Sequence, residues 1–265
     1  MRGTRIAAGW LVVAAVLTAC GDRSAPPTET SRAAGGSVST GTSAATSSTA
    51  PPRDLGPIGP TAAAAHGYVP GSTRVSGSDR AVTYDVEVPT LSDGSASVTA
   101  RFTTSIRASL DDRVRELGGA PRPVTLARGS LANGEGSRVS RIGLRSVAGI
   151  LLTNYFMQGA AHPNNQIGTV VINTDTAQPI LLSQLLPTPD ATARVKELIR
   201  EQATADGPTL FLNESTTLAN WLPTDAGITF YVPVAHAAGD FRPFALPWSD
   251  LADIVPADVR DVLRA

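Results

Sequence analysis

Cysteine is nearly missing from the sequence, since Cys20 is the only one among 265 residues. An intrachain disulfide needs two cysteines and a thiolate-based zinc site needs several, so the sequence excludes both. An excess of charge is missing too, because 22 basic residues are balanced by 23 acidic ones and the formal net charge is −1. Nucleic-acid-binding proteins typically carry a strongly basic surface, so we expect no nucleic acid among the partners of this chain.

The apolar segment near the N-terminus is too short to remain in a membrane as a helix. It covers residues 6–17, about a dozen residues, whereas a transmembrane helix needs about 20. Two arginines precede it, which is the pattern of a secretory signal peptide. Residues 17–20 (LTAC) resemble the bacterial lipobox, in which the cysteine is diacylglycerated and the chain is cut just before it. We therefore predict a signal peptide over 1–19 and a lipid anchor on Cys20 that holds the protein at the extracytoplasmic face of the cell membrane.

The next part of the chain has the composition of a spacer. Residues 20–65 consist mainly of Ser, Thr, Ala, Pro and Gly, without apolar periodicity. Such a segment cannot bury enough apolar surface to offset the entropy lost on ordering. We predict that it links the lipidated cysteine to one folded domain over residues 66–265.

The folded part shows the apolar patterns of strands and of a few helices. AVTYDVEVP (81–89) alternates with a period of two, which is typical of a strand with one buried face. Apolar residues then recur every three or four positions, as in an amphipathic helix, at Phe102, Ile106, Leu110, Val114 and Leu117. A second helix is predicted over residues 190–203, and Asn133-Gly134 predicts a hairpin turn between two strands. Because helices and strands do not alternate regularly, we predict an α+β fold with a largely antiparallel sheet packed with two main helices.

Several motifs in the C-terminal half occur in a characteristic order. They are GAAHPN (159–164), TDTAQPILLSQLL (174–186), WLPTDAGITFY (221–231), AAG (237–239) and LPWSDL (246–251). Over residues 148–255 this series resembles the extracellular domain of the anti-sigma factor RsiV, a DUF3298-type family that also occurs beside deacetylase domains in peptidoglycan-modifying enzymes. The resemblance implies the RsiV-like fold, an extracytoplasmic setting and a domain that binds a ligand, as some relatives bind lysozyme. The basic residues are almost all arginine, with Lys196 the only lysine, which is typical of a GC-rich, for instance actinobacterial, genome.

His162, in the HPNN turn between two predicted strands, has two interpretations that the sequence leaves open. In the structural one, the imidazole caps the turn or packs against Tyr155 or Phe156. In the catalytic one, His162 is a general base oriented by Asp175 or Asp225, with a serine as the nucleophile. The sequence contains no Gly-x-Ser-x-Gly elbow, which argues against a typical serine hydrolase.

The other candidate residues suggest a binding surface rather than an active site. We predict binding roles for Tyr155, His162, Asn164, His236 and Trp248, and no catalytic residue. His236 lies near Asp240 in the sequence and offers a second acid–base pair. We expect no cofactor and no metal, since a metal site needs at least three converging ligands.

The class of ligand stays open at the level of sequence. An envelope protein, a glycan or a lipid are the candidates, and a lipid would need an apolar cleft beside the aromatic residues of the C-terminal third. The main alternative to binding is a weak esterase or other hydrolase that uses His162.

Overall fold

The computed structural model describes residues 65–203 and 207–265. The predicted signal peptide, Cys20 and the spacer as far as residue 64 lie outside these residues. In the described part the chain forms ten strands and four helices. In chain order they are β1 (Val69–Asp79), β2 (Val82–Ser92), α1 (Ala96–Leu117), β3 (Val124–Arg128), β4 (Arg138–Ile142), β5 (Ser146–Met157), β6 (Asn164–Asn173), β7 (Gln178–Pro179), α2 (Leu182–Leu185), α3 (Pro189–Gln202), β8 (Trp221–Pro223), β9 (Gly227–Pro233), β10 (Phe241–Pro247) and α4 (Ala257–Arg264).

The strands form two sheets. The larger one has seven strands in the order β1-β2-β3-β5-β6-β7, and β4 is also paired with β5. Its pairs are antiparallel except β2 with β3, which are parallel because α1 carries the chain from one to the other. The smaller sheet has the order β10-β9-β8 and is antiparallel throughout. The predicted α+β fold with a largely antiparallel sheet is confirmed.

The predicted hairpin around Asn133-Gly134 is wrong, although a turn does form there. The N–H of Gly134 donates to the carbonyl of Leu131 at 2.9 Å, and the φ of Gly134 is +83°. The strands on either side, β3 and β4, do not pair with each other. Both pair with β5, β3 along residues 153–157 and β4 along residues 147–150. They therefore lie end to end along one edge of β5. Residues 129–137 form the loop that connects them, which we call the excursion.

Helix α1 covers one face of the large sheet. It begins at Ala96, earlier than predicted, and the residues of its apolar stripe are buried as expected, with Phe102, Ile106 and Leu110 fully enclosed. These side chains pack on alternate residues of the strands below, such as Val86 and Leu151. In the described residues no helix is long and apolar enough to cross a membrane.

The opposite face of the large sheet is covered by α3 and by the small sheet. Ile150, Leu152 and Ile167 of the large sheet pack there against Phe230 of β9 and Ile199 of α3. Most aromatic residues of the C-terminal third lie in this core: Trp221, Phe230, Tyr231, Phe244 and Trp248. The layers are thus α1, the large sheet, and then the small sheet together with α3. The connection between β9 and β10 of the small sheet reaches the end of the β5–β6 hairpin.

Candidate functional site

His162 lies at the tip of the β5–β6 hairpin and is exposed. The last residue pair of this hairpin is Tyr155 with Asn164, so residues 158–163 (QGAAHP) form the tip. Gly159 has a φ of +84°, a conformation that favours glycine, and Nη1 of Arg122 lies beside it and 3.4 Å from the carbonyl oxygen of Gln158. The tip is therefore a defined loop held against Arg122.

The second part of the site is the segment between β9 and β10. His236–Ala238 form a single 3-10 turn, and Gly239 and Asp240 then take φ values of +101° and +68°. Two successive residues with positive φ reverse the chain, and the N–H of Val234 donates to the carbonyl of Asp240 at 2.8 Å. This reversal returns the carboxylate of Asp240 towards His236.

Asp240 connects the segment to the large sheet. Its carboxylate is largely buried, with 9% of the residue exposed. Oδ1 lies 3.0 Å from Nδ1 of His236, and Oδ2 accepts the backbone N–H of Asn165 at 2.8 Å. Because Asn165 is the second residue of β6, Asp240 fixes the segment of His236 beside the hairpin tip.

The two histidines meet face to face. The ring centroids of His162 and His236 are 3.8 Å apart, and the ring planes are inclined by 4°. The sequence singled out both residues separately but gave no sign that they would touch, since they come from different sheets. Their contact, together with Asp240, defines the candidate site.

The hydrogen bonds of the two rings determine their tautomers. Nδ1 of His162 lies 3.0 Å from the carbonyl oxygen of Pro163, and Nδ1 of His236 faces the carboxylate of Asp240. A carbonyl and a carboxylate can only accept, so both Nδ1 atoms must carry a hydrogen. In the neutral rings the lone pair is consequently on Nε2 in both cases.

Asp240 and His236 have the geometry of a carboxylate that orients a histidine base. In residues 65–203 and 207–265, no serine or threonine hydroxyl is hydrogen-bonded to either imidazole. The same residues contain no group of three or more His, Cys, Asp or Glu side chains that could hold a metal ion. The described site therefore consists of two stacked rings, one of them oriented by a buried carboxylate.

The predicted pairing of His162 with Asp175 does not form. His162 precedes β6, whereas Asp175 follows its other end, and ten extended residues span about 33 Å. Asp175 instead pairs with Arg145, whose Nη2 lies 2.6 Å from its Oδ2. The other proposed orienting group, Asp225, forms an ion pair with Arg141.

The remaining predicted binding residues differ in how far their side chains are exposed to solvent. Tyr155 and Asn164 are half-buried and lie opposite each other at the end of the hairpin. Trp248 is only 7% exposed, and its Nε1 donates to the carbonyl of Asp225 at 3.2 Å, so it offers a ligand little surface. Phe156, which the sequence suggested only as a packing partner of His162, is 41% exposed.

A buried hydrogen-bonded group joins the excursion of residues 129–137 to β9. The hydroxyl of Tyr231 donates to Oε1 of Glu135 at 2.7 Å, and Nη2 of Arg138 lies 2.6 Å from the same oxygen. Burial, together with the nearby carboxylate of Glu135, raises the pKa of Tyr231 well above its usual range.

This raised pKa predicts a loss of stability in alkali. The unfolded tyrosine ionises near pH 10, whereas folded Tyr231 stays neutral, so the stabilisation is complete below about pH 10 and is lost above it. We expect the free energy of unfolding to fall by up to about 1.4 kcal/mol per pH unit from this residue alone. Urea unfolding between about pH 9 and pH 11 measures the slope. Tyr231→Phe should have the shallower slope, and equal slopes in the two proteins would contradict the assignment.

Comparisons with known proteins identify solved structures with a similar fold. The sequence matches no family model and no curated protein. Among solved structures, the fold is similar to that of a DUF3298 family member from Bacteroides fragilis, with a TM-score of 0.53 and 12% identity over 76% of this chain and 98% of that chain. A DUF3298 family protein from Pseudomonas aeruginosa aligns with a TM-score of 0.48 and 13% identity over 72% of this chain and 95% of that one. The domain is thus an α+β domain, and its fold is of the DUF3298 type.

Proposed function

We propose that the chain is a lipoprotein of the cell envelope whose domain binds a protein ligand on the extracytoplasmic side, without catalysis. The lipobox-like LTAC sequence supports attachment through Cys20. The DUF3298-type fold, together with the sequence resemblance to the extracellular domain of RsiV, supports a binding domain. A spacer rich in Ser, Thr and Pro would keep this domain at a distance from the membrane.

The observation that carries the proposal is a set of exposed rings at the end of the β5–β6 hairpin. We call Phe156, residues 158–163 and His236 the tip surface. Side chains alternate along β5, so Phe156 projects to the same side as Asn154, whose Nδ2 donates to Oδ1 of Asn165. That is the side on which the small sheet and His236 lie. Phe156 therefore belongs to the same end and the same face as the histidine stack.

The tip surface has the features of a protein-binding site. Exposed aromatic rings provide contact area at a low cost in conformational entropy, and they often carry much of the binding energy. Here the rings are already positioned, because Asp240 holds His236 and the hairpin holds Phe156 and His162. A preorganised surface loses less entropy when a ligand binds.

Removing rings from the tip surface should weaken binding selectively. The immobilised full-length chain is incubated with solubilised envelope extract from the organism that produces it. The retained proteins are quantified by mass spectrometry. We expect Phe156→Ala and His162→Ala each to reduce retention of the ligand by at least about tenfold. Leu181→Ala and His66→Ala remove an exposed apolar side chain and an exposed imidazole elsewhere, and they should retain it fully.

Two results would contradict the proposal. Equal retention by all four variants would exclude the tip surface as the binding site. Hydrolysis of short-chain acyl esters by the native chain, lost in His236→Ala but kept in His66→Ala, would replace binding by catalysis through the Asp240–His236 pair. A lipid ligand has less support, because the aromatic residues expected to line an apolar cleft fill the core instead.

A further inference from the structure

We propose that the stacked rings of His162 and His236 form a pH-sensitive latch between the hairpin tip and the segment of residues 234–240. The latch is closed when the rings are neutral and opens when both are protonated. This inference concerns the free protein and does not depend on the ligand proposed above.

The latch joins two parts of the fold that come from different sheets. His162 belongs to the turn between β5 and β6, and His236 to the connection between β9 and β10. Two contacts hold these turns together, namely the ring stack at 3.8 Å and the hydrogen bond from the N–H of Asn165 to Asp240 at 2.8 Å. The stack is the outer of the two, because His162 is exposed and His236 is half-exposed, whereas Asp240 is buried.

Protonation changes the stack from attractive to repulsive. Imidazole is the side chain that ordinarily gains a proton between about pH 8 and pH 5. Each Nδ1 already carries a hydrogen, so the added proton goes to Nε2 and leaves the Nδ1 bonds to Pro163 and Asp240 in place. Two cationic rings would then be held parallel at 3.8 Å, and like charges at this distance repel.

The charged groups around the stack compensate only one of the two added charges. They are Asp240, Arg122 against the tip, the exposed Arg242 at the start of β10, and Glu135 paired with Arg138. Glu135 belongs to the excursion, whose Ala132 adjoins Gly239. Asp240 is bonded to His236, and Glu135 is already paired with Arg138 and Tyr231. In the described part of the chain, no carboxylate is hydrogen-bonded to His162. The second proton therefore adds a positive charge stacked directly on another imidazolium.

Opening should release the two turns and leave the sheets intact. The amide that reports it is that of Asn165, whose N–H donates to the carboxylate of Asp240 and so joins the hairpin to the other turn. The amide of Ile180 is the internal reference, because it donates to Val171 at 2.8 Å towards the opposite end of β6.

Hydrogen exchange of the full-length chain at about pH 7.5 and about pH 5 tests the latch, after correction for the intrinsic pH dependence of exchange. We expect the protection of the Asn165 amide to fall by roughly tenfold in acid, with that of Ile180 unchanged. His162→Phe retains an aromatic ring but cannot gain a proton, so it should lose this response. His66→Phe, the matched control at the third histidine, should keep it.

Ring-to-ring nuclear Overhauser effects between His162 and His236 provide a second readout that needs no variant. We expect them at pH 7.5 and expect their loss at pH 5. Their persistence at pH 5, unchanged protection of Asn165 in acid, or the same fall in His162→Phe as in the native chain would each overturn the latch.

Discussion

Replacing Gly227 with alanine is expected to lower the free energy of unfolding by about 4 kcal/mol, the range of the most damaging single substitutions. A Cβ at this position would lie 1.9 Å from the carbonyl oxygen of Leu246 and 2.8 Å from its carbonyl carbon. Gly227 is the first residue of β9 and pairs with Pro247 of β10. The obstructing atoms are backbone atoms and cannot rotate away, so the two strands must separate where the small sheet begins.

Urea unfolding of the full-length chain measures this effect. Gly136→Ala is the matched control, because a Cβ at that glycine meets nothing within 4 Å. We expect the control to stay within about 0.5 kcal/mol of the native chain. A Gly227→Ala protein as stable as the control would show that β9 and β10 can shift apart without cost.

Glu135→Ala is expected to cost about 3 kcal/mol, because it removes one partner of a buried ion pair. Glu135 is 4% exposed and accepts from both Arg138 and the hydroxyl of Tyr231. Its loss leaves a guanidinium and a phenol without their acceptor in a place that water reaches poorly. The excursion of residues 129–137 and β9 would lose the polar contact between them.

The control for Glu135 is another glutamate that pairs with an arginine three residues away. Oε2 of Glu116 lies 2.6 Å from Nη1 of Arg113, but the Glu116 side chain is 60% exposed. Exposed pairs contribute little, so Glu116→Ala should change the free energy of unfolding by less than about 1 kcal/mol. Similar costs for the two substitutions, measured by urea unfolding, would show that burial of Glu135 does not determine its contribution.

The sequence predicted best those elements that bury one face and expose the other. The apolar stripe of α1 and the alternation in β2 follow directly from packing against the sheet, and so does α3 with Val195 and Ile199. Strand β1 was not predicted. Its eleven residues are mostly exposed and polar, because pairing with β2 rather than burial holds it in place, so no periodicity marks it.

The predictions from sequence were wrong where the contacts that a segment makes within the protein depend on the whole fold. The turn at Asn133-Gly134 is local and forms, but β5 is long enough to pair with both β3 and β4, which removes the expected hairpin. Likewise His162 was correctly placed in a turn between two strands, whereas its contact with His236 depends on how the small sheet lies on the large one. Trp248, a predicted binding residue, belongs to the core for the same reason.

The strands at the ends of both sheets share one residue type, proline, whereas β4, which pairs only with β5, lacks it. The outermost strands are β1 and β7 in the large sheet and β8 and β10 in the small one. Each contains proline: Pro70, Pro179, Pro223, and both Pro243 and Pro247. Proline has no N–H to donate, so a strand that contains it is a poor template for a strand of another molecule. These edges would therefore oppose aggregation of neighbouring copies of the protein through strand pairing.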